Sequence, residues 1–531
     1  MKYGFIIDNR KCIGCHACTV ACKSEHDVPV GVNRTWVKQV EKGTYPHTQR
    51  VFSVMRCNHC TDAPCVEICP VEALHIRPDG IVDFDNQRCI GCKACTQACP
   101  YDALYIDPET HTAAKCNYCS HRVEVGLEPA CVNVCPEHAI ISGDMDDPES
   151  EIFELLNTQK VTVRKPEKGT RPNVFYINGD EASLTPSATP QSDSYFWSAQ
   201  SGGVGHFAKY ADQKKAQADV NAMKRELAHG KSTGKTQIEA IMEQSRRVYD
   251  APKKGTLWGW EVSAYVWTKA ISAGAFLLPF IAATLGGFAE VTMPVLWTSF
   301  GLAVLFLALT GVLLIMDLDR PDRFLNVIFR PQWRSWLARG GTIIGGYGTF
   351  VALTALATFM EWELLGTISS WVSSLFALAT AAYTAFLFAQ AKGRDFWQSP
   401  ALVLHMVLHA FLAGGAVFAI LNLFMAAGEG WETYLSVVLL ISVVVNMVIL
   451  FIELATPHPT ADAKATVNLI LHGPYRTSFW LGSVLVGNVL PLLLLVVGGG
   501  AMMAVAGIAI LIGMYINEHI WVQAPQQISL S

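Results

Sequence analysis

Residues 256–531 contain no cysteine, although the 531-residue chain has 16. Charged residues thin out over the same half, so two chemically unlike segments share one polypeptide. The opening stretch, MKYGFIIDNRKCIGC, has no apolar h-region, no small-residue cleavage site and no twin arginine. With no address to an oxidising compartment, reduced thiolates that bind metal account for the even cysteine count better than a disulfide framework. No basic tract suits a nucleic acid, and the net charge of −5 averages over two unlike halves.

The cysteines fall into four groups with none left over: Cys12, Cys15, Cys18, Cys22; Cys57, Cys60, Cys65, Cys69; Cys89, Cys92, Cys95, Cys99; and Cys116, Cys119, Cys131, Cys135. The third, RCIGCKACTQACP, is a C-x2-C-x2-C-x3-C run closed by Pro100. In such a run the first three thiolates wrap one cubane and the fourth ligates the other cluster of a two-cluster unit. Four groups therefore imply two interlocked pairs. Zinc also uses C-x2-C pairs, but three cysteines in one tight turn with a fourth before proline (Pro70, Pro100, Pro136) suit a cube corner better than a tetrahedron. The first group has Lys23 in place of the proline, and the second and fourth have widened gaps before Cys65 and Cys131.

With these departures, and with the strand-like RPNVFYI at 171–177, residues 1 to about 178 resemble the NrfC-type four-cluster subunits of complex iron–sulfur molybdoenzymes, such as polysulfide and dimethyl sulfoxide reductases. The resemblance implies an α+β ferredoxin-like domain over 1–180 in which groups one and four interlock, as do two and three. It implies four 4Fe-4S clusters, held by Cys12, Cys15, Cys18 with Cys135; Cys116, Cys119, Cys131 with Cys22; Cys57, Cys60, Cys65 with Cys99; and Cys89, Cys92, Cys95 with Cys69.

Residues 181–257 read as a linker: Ser, Thr, Pro, Gln and Gly dominate 181–205, and a polar stretch from about 207 to 248 has helical character. From 258 onward eight runs of roughly 20 apolar residues follow, near 261–285, 295–316, 340–360, 368–389, 400–425, 434–456, 478–498 and 500–520. Each is long enough to cross about 30 Å of hydrocarbon as a helix. Eight crossings put residues 1–257, the loops after the second, fourth and sixth runs, and the C-terminus on one side. Those loops carry Arg320, Arg323, Arg330, Arg334, Arg339, Lys392, Arg394, Lys464 and Arg476, whereas the opposite loops have only Glu290, Glu361, Glu363, Glu429 and Glu432. The positive-inside rule then places the cysteine-rich segment on the cytoplasmic side of a bacterial or archaeal membrane.

The first apolar run with SAYVWTKAISAGAF, the DLDRPDRF turn after the second, and the tail after INEHIWVQAPQQ resemble the NrfD and polysulfide reductase membrane anchors. That resemblance, over 258–531, implies an all-α domain of eight transmembrane helices in two four-helix bundles, haem-free and reactive with a quinone such as menaquinone or ubiquinone. Quinone chemistry needs protons as well as electrons beside one ring, so ionisable residues near the cysteine-rich side are the pocket candidates: Glu261, Tyr265, Lys269, Asp317, Arg323, His405 and His409. Lys269 has Glu261 as an alternative, purely structural partner. His405 and His409 share one helix face, whereas a b-type haem needs ligands from two helices. Asn422, Asn446 and Asn488 suit helix–helix hydrogen bonds. Nothing resembles a pterin-binding domain, so the expected role is electron transfer between a separate large catalytic subunit, a molybdenum or tungsten bis-pterin enzyme, and the quinone pool. The alternative is a redox-driven ion translocator fed by a multihaem or other carrier; the far halves of the helices, almost free of ionisable residues, count against it.

Overall fold

In the computed structural model, which describes residues 1–44, 47–189, 245–251, 254–284 and 289–531, the chain folds as a small α+β cysteine-rich domain on one end of a helical membrane domain. Among the described residues, eleven short strands and seven α-helices of up to nine residues build the first part. Its central sheet has the order β8 (Ile140–Asp144), β1 (Tyr3–Asp8), β10 (Val174–Ile177), β9 (Val161–Thr162). The β1 and β10 strands run parallel and the two outer pairs antiparallel. Phe5, Ile6 and Ile7 are all fully buried, as a strand covered on both faces requires. The strand-like stretch at 171–177 forms β10, and its Asn173 begins the hydrogen bonding to β1 through Phe5.

A second sheet pairs the ten-residue arms β2 (Thr35–Thr44) and β3 (His47–Arg56) with β11 (Ser245–Tyr249). This corrects the expectation of a polar helix reaching to 248. Ser245 and Arg247 are buried while Arg246 is exposed, a two-residue period, and the free edge of β2 supplies the ladder. Residues 190–244, the body of the expected linker and helix, lie outside the described residues. Both described ends of that linker belong to the cysteine-rich domain. The helix at Glu181–Leu184 buries Ala182, Ser183 and Leu184, and Asp250, with Arg247, forms an ion pair from which water is fully excluded. Trp36 Nε1 donates to Asp250 Oδ1 at 2.6 Å. Burial on the sheet thus ties residues on both sides of the expected linker to the cysteine-rich domain.

The first C-x2-C loop of each group makes the same left-handed turn at its second intervening residue: Gly14 (φ 71°), His59 (φ 41°), Gly91 (φ 69°) and Tyr118 (φ 62°). The turn curls successive sulfurs inward. At Gly91 a side chain is excluded twice over, by φ and because a Cβ would stand 2.8 Å from Asp319 Cβ.

Among the described residues, eight helices long and apolar enough to span a membrane follow, at Trp260–Thr284, Met293–Met316, Trp336–Phe359, Glu363–Gln390, Ala401–Leu421, Trp431–Ala455, Ser478–Val497 and Gly500–Gln527. They are called the first to eighth helices below. The first four pack as one bundle and the last four as another, joined along the first and fifth helices. At that seam Gly274 and Gly414 cross so closely that a Cβ on Gly274 would lie 1.8 Å from Ala410 O, the small-residue contact that lets membrane helices approach. Between helices, Tyr347 Oη donates to Ser272 O (2.9 Å) and Tyr434 Oη to Leu278 O (3.0 Å).

The loops after the second, fourth and sixth helices and the C-terminal tail all meet the cysteine-rich domain. Ser335 Oγ donates to Ile68 O (2.6 Å), Arg394 Nε to Gln97 Oε1 (2.9 Å), and Gln97 Nε2 to Gln526 Oε1 (3.0 Å). Lys165 approaches Asp462 at 3.7 Å, and Arg164 Nη2 donates to Leu530 O at 3.2 Å.

Candidate functional site

The four cysteine groups come together across the sequence. One small cavity is lined by Cys12, Cys15, Cys18 and Cys135, and another by Cys69, Cys89, Cys92 and Cys95. Cys22 has Cys116, Cys131 and Cys119 as its charged neighbours, and Cys65 has Cys99, Cys57 and Cys60. Groups one and four are thereby brought together, as are two and three. The sets follow one another in order, since Cys95 lies within electrostatic reach of Cys65, Cys57 of Cys116, and Cys18 of Cys131. The end set, with Cys92, adjoins the membrane domain through Trp258 Nε1, which donates to Cys92 O at 3.1 Å. At the opposite end Cys15 is exposed and Cys12 and Cys135 half-buried.

The residues present fit cubane clusters by their charges and their unmet bonds. Burial pushes the Cys57 thiol up to about 11, although the Lys115 ammonium beside it pulls the other way. Thiolates so desolvated need cations close by. Arg56 is buried, with Nη2 3.1 Å from Cys131 Sγ and the guanidinium 4.2 Å from the Phe5 ring centroid. Burial disfavours its charge, but Cys131 and Cys116 outweigh that and hold it protonated. Its Nε and Nη1 find no acceptor among the described residues, and neither does Thr19 Oγ1 beside Cys18. Buried donors aimed at a space ringed by sulfur are what the inorganic sulfides of a cluster satisfy.

Against the Cys92 end lies a cavity of about 270 Å³ between the first four helices, lined by Cys92, Trp258, Tyr265, Asp317 and Tyr383 amid aliphatic side chains. Of the seven sequence candidates, Tyr265 and Asp317 line it. Lys93 Nζ donates to Asp317 O at 2.7 Å and meets Asp319 Oδ1 at 3.2 Å. Burial pushes the Asp317 carboxyl up to about 7, against the pull of Lys93.

The other five stand apart from the cavity wall. Glu261 sits half-buried on the first turn of the first helix. Arg323 reaches away, its Nη1 donating to Asn86 O (2.6 Å) and Cys89 O (3.2 Å), so it clamps the cysteine loop rather than a ligand. Lys269 does not pair with Glu261: its Nζ donates to Ala381 O (3.0 Å) and Thr384 Oγ1 (2.5 Å), beneath the Tyr383 ring. The helix sets Glu261 and Lys269 eight residues apart, about 12 Å along the axis. Tyr383, which lines the cavity, precedes Thr384 in the fourth helix and has the Lys269 ammonium over its ring, so Lys269 lies one residue behind the cavity wall. Trp258, Tyr383 and Thr384 were not singled out from the sequence; two hydroxyl residues together in the apolar fourth helix are the signal that was there to read.

His405 and His409 lie in the second bundle, away from the cavity. His405 Nδ1 meets Glu453 Oε2 at 3.0 Å and His409 Nδ1 meets Glu518 Oε1 at 2.5 Å. Their Nε2 atoms meet Asn517 Nδ2 and Asn446 Oδ1, both at 3.3 Å. Asn446 continues to Asn488, whose amide donates to Ser483 O, and Ser483 Oγ returns to Asn517. Ser483 and Asn488 face each other because Ser478–Val489 winds as a π-helix, a form that clusters at functional positions. All four imidazole nitrogens are thereby committed to protein groups.

Comparisons with known proteins agree with this layout. The family model described as polysulphide reductase, NrfD matches residues 250–528, and two described as 4Fe-4S dicluster domains match 11–74 and 48–145. A tetrathionate reductase subunit of Salmonella typhimurium is 49% identical over 189 residues, 35% of this protein and 76% of that one. The NrfC protein of Escherichia coli K12 is 41% identical over 181 residues, 33% and 81% respectively. The arsenate respiratory reductase iron-sulfur subunit ArrB of a Shewanella species is 34% identical over 225 residues, 33% and 96%.

Proposed function

This polypeptide belongs to the polysulphide reductase NrfD family and is an iron–sulfur electron-transfer subunit fused to its multi-pass membrane anchor; on that premise we propose that it links a separate molybdenum or tungsten bis-pterin catalytic subunit to the membrane quinone pool. The observation that carries this reading is the cavity of about 270 Å³ whose wall includes the cluster-group residue Cys92 on one side and Tyr265, Asp317 and Tyr383 on the other. An apolar cleft with a few convergent polar groups is the usual form of a small-molecule site, and this one adjoins the end of the line of sulfurs. Bound 4Fe-4S clusters supply a chain of one-electron carriers there. Cys89, Cys92 and Cys95 with Cys69 would hold the membrane-side cluster, Cys57, Cys60, Cys65 with Cys99 the next, Cys116, Cys119, Cys131 with Cys22 the third, and Cys12, Cys15, Cys18 with Cys135 the outermost. Arg56 and Lys115 offset the thiolate charge, Trp258 seals the membrane-side group from water, Tyr265 offers a donor to a quinone oxygen, and Asp317 offers an acceptor to a quinol hydroxyl.

At the far end the exposed Cys15 is flanked by exposed Ile13 and Val134, a place for the catalytic partner to cover. Relatives include subunits of reductases named for tetrathionate and arsenate, which supports such a partner. On this reading the cysteine-rich domain faces the cytoplasm. Arg320, Arg323 and Arg394 bond that domain, so its docking explains their presence. The other six of the nine basic residues still stand against none on the opposite loops.

The test is anaerobic purification in mild detergent followed by mixing with a reduced short-chain quinone. The expected result is a co-eluting large subunit with molybdenum or tungsten, and quinol-driven bleaching of cluster absorbance. A fully iron-loaded protein that exchanges no electrons with any quinol, and binds none, would overturn the reading.

A further inference from the structure

Electron passage along the cysteine groups leaves unexplained why the second bundle buries two histidines with a glutamate on each. Ionisable groups inside a bilayer are costly to insert, and amides alone would hold the helices together. We propose that Glu453, His405, His409, Glu518 and Lys269 form a proton route between a near-side vestibule and the quinone cavity, ending at Thr384 and Tyr265; this rests on the quinone reading of that cavity.

Both ends of the string open onto space. Glu453 lines a cavity of about 670 Å³ between Lys168 of the cysteine-rich domain and the loops after the fourth and sixth helices, which contribute Lys392, Asp395 and His458. Tyr265 lines the quinone cavity. Between them the contacts run Glu453 to His405 (3.0 Å), His409 to Glu518 (2.5 Å) and Lys269 to Thr384 (2.5 Å), and Tyr265 lies within reach of Thr384 without a direct hydrogen bond. Two further joints are indirect. The imidazoles meet edge to face with centroids 4.2 Å apart, and the Asn446, Asn488, Ser483 and Asn517 bonds close a ring around them. Glu518 lies within electrostatic reach of Lys269 without a direct ion pair, a gap that one bridging water spans.

An imidazole takes a proton at one nitrogen and releases one from the other, and each of these two has a carboxylate on Nδ1. The chemistry balances in either direction. Oxidising a quinol releases two electrons, one at a time, toward Cys92, and two protons, which leave through Tyr265 and Thr384 to Lys269 and onward to Glu453. Reduction runs the same steps backwards. Electrons and protons thus part at the cavity and reach the same membrane face by separate bundles. The string lies in the near part of the bilayer: Lys269 is nine residues, about 14 Å, into the first helix. Asp317, beside Lys93 at the surface end of the cavity, is the competing exit.

The test uses the full cluster-loaded chain and a stopped-flow record of bleaching by a reduced short-chain quinone. Glu453→Gln and Glu518→Gln should each slow bleaching at least tenfold and raise its solvent deuterium isotope effect. Affinity for a redox-inert quinone analogue and bleaching by dithionite should stay within twofold of wild type, and Glu453→Asp should restore most of the rate. In proteoliposomes the wild type, which involves no folding question, should acidify the side bearing the cysteine-rich domain. Unchanged rates and isotope effects in both Gln variants, a large loss confined to Asp317→Asn, or acidification of the opposite side would each overturn the route. Failure of the quinone reading looks different, since wild type would then neither bind the analogue nor bleach with quinol.

Discussion

Filling the cavity with protein should stop quinol from reaching Cys92 while leaving the cysteine groups untouched. Gly311, on the second helix, lines the space, and a Cβ there would meet nothing within 4 Å. Gly341, on the third helix, is nearly as free, with only Val327 Cγ1 at 3.5 Å. Replacing either by leucine removes most of glycine's helix penalty, about 0.8–1.0 kcal/mol against alanine, so both variants should fold. The space holds the equivalent of about nine waters at ~30 Å³ each, and a branched four-carbon side chain leaves no room for a substituted ring. At roughly 0.3 kcal/mol per non-hydrogen atom, a quinone ring of about twelve atoms gains about 4 kcal/mol on binding, which is about a thousandfold in dissociation constant. At quinol concentrations below saturation, Gly311→Leu and Gly341→Leu should therefore slow bleaching by two to three orders of magnitude. Dithionite should still bleach every cluster, and iron content should match wild type. Bleaching within twofold of wild type in both variants would show that quinol reaches the clusters elsewhere.

Iron and acid-labile sulfide should each approach about 16 per chain after anaerobic purification, four cubanes of four atoms; a total near half of that in a homogeneous preparation would break the four-cluster assignment. Gly274→Leu should abolish accumulation of the folded membrane domain, because its Cβ would fall 1.8 Å from a fifth-helix carbonyl, well beyond the 1–3 kcal/mol of ordinary overpacking; an expression test by fluorescence-detected chromatography reads this directly. Lys165, between the cysteine-rich domain and Asp462, is pushed down from 10.5 to about 8 by burial. The native state then holds fewer protons than the unfolded chain between those values, so stability rises as pH climbs from 8 to 10.5, by up to about 3 kcal/mol. Lys165→Met should flatten that rise in melting temperature and leave the protein more stable at pH 7; an unchanged slope would refute it. Glu429→Cys, exposed on the opposite face, should react with a membrane-impermeant maleimide in intact cells, whereas labelling only in inside-out vesicles would reverse the assigned orientation.

Much of the architecture was legible because its signals are local. A C-x2-C-x2-C turn needs only seven residues to curl three sulfurs inward, and a span of hydrocarbon needs only length and apolarity, so the cysteine groups and the eight helices could be read from spacing and composition alone. Of the polar residues singled out near the cysteine-rich side, Tyr265 and Asp317 stand on the cavity wall. What depended on contacts distant in sequence was not legible. That Ser245–Tyr249 extends the β2 edge, that Lys269 turns to Thr384 and not to Glu261, and that His405 and His409 belong to a different bundle from the cavity all follow from helix rotation and strand pairing. The sequence by itself determined which groups must be buried in sulfur or in lipid, because desolvation is a property of each segment. Only the tertiary structure decided which of those groups face one another, because an ion pair or hydrogen bond forms over about 3 Å and adjacency along the sequence says nothing about distance across a bundle.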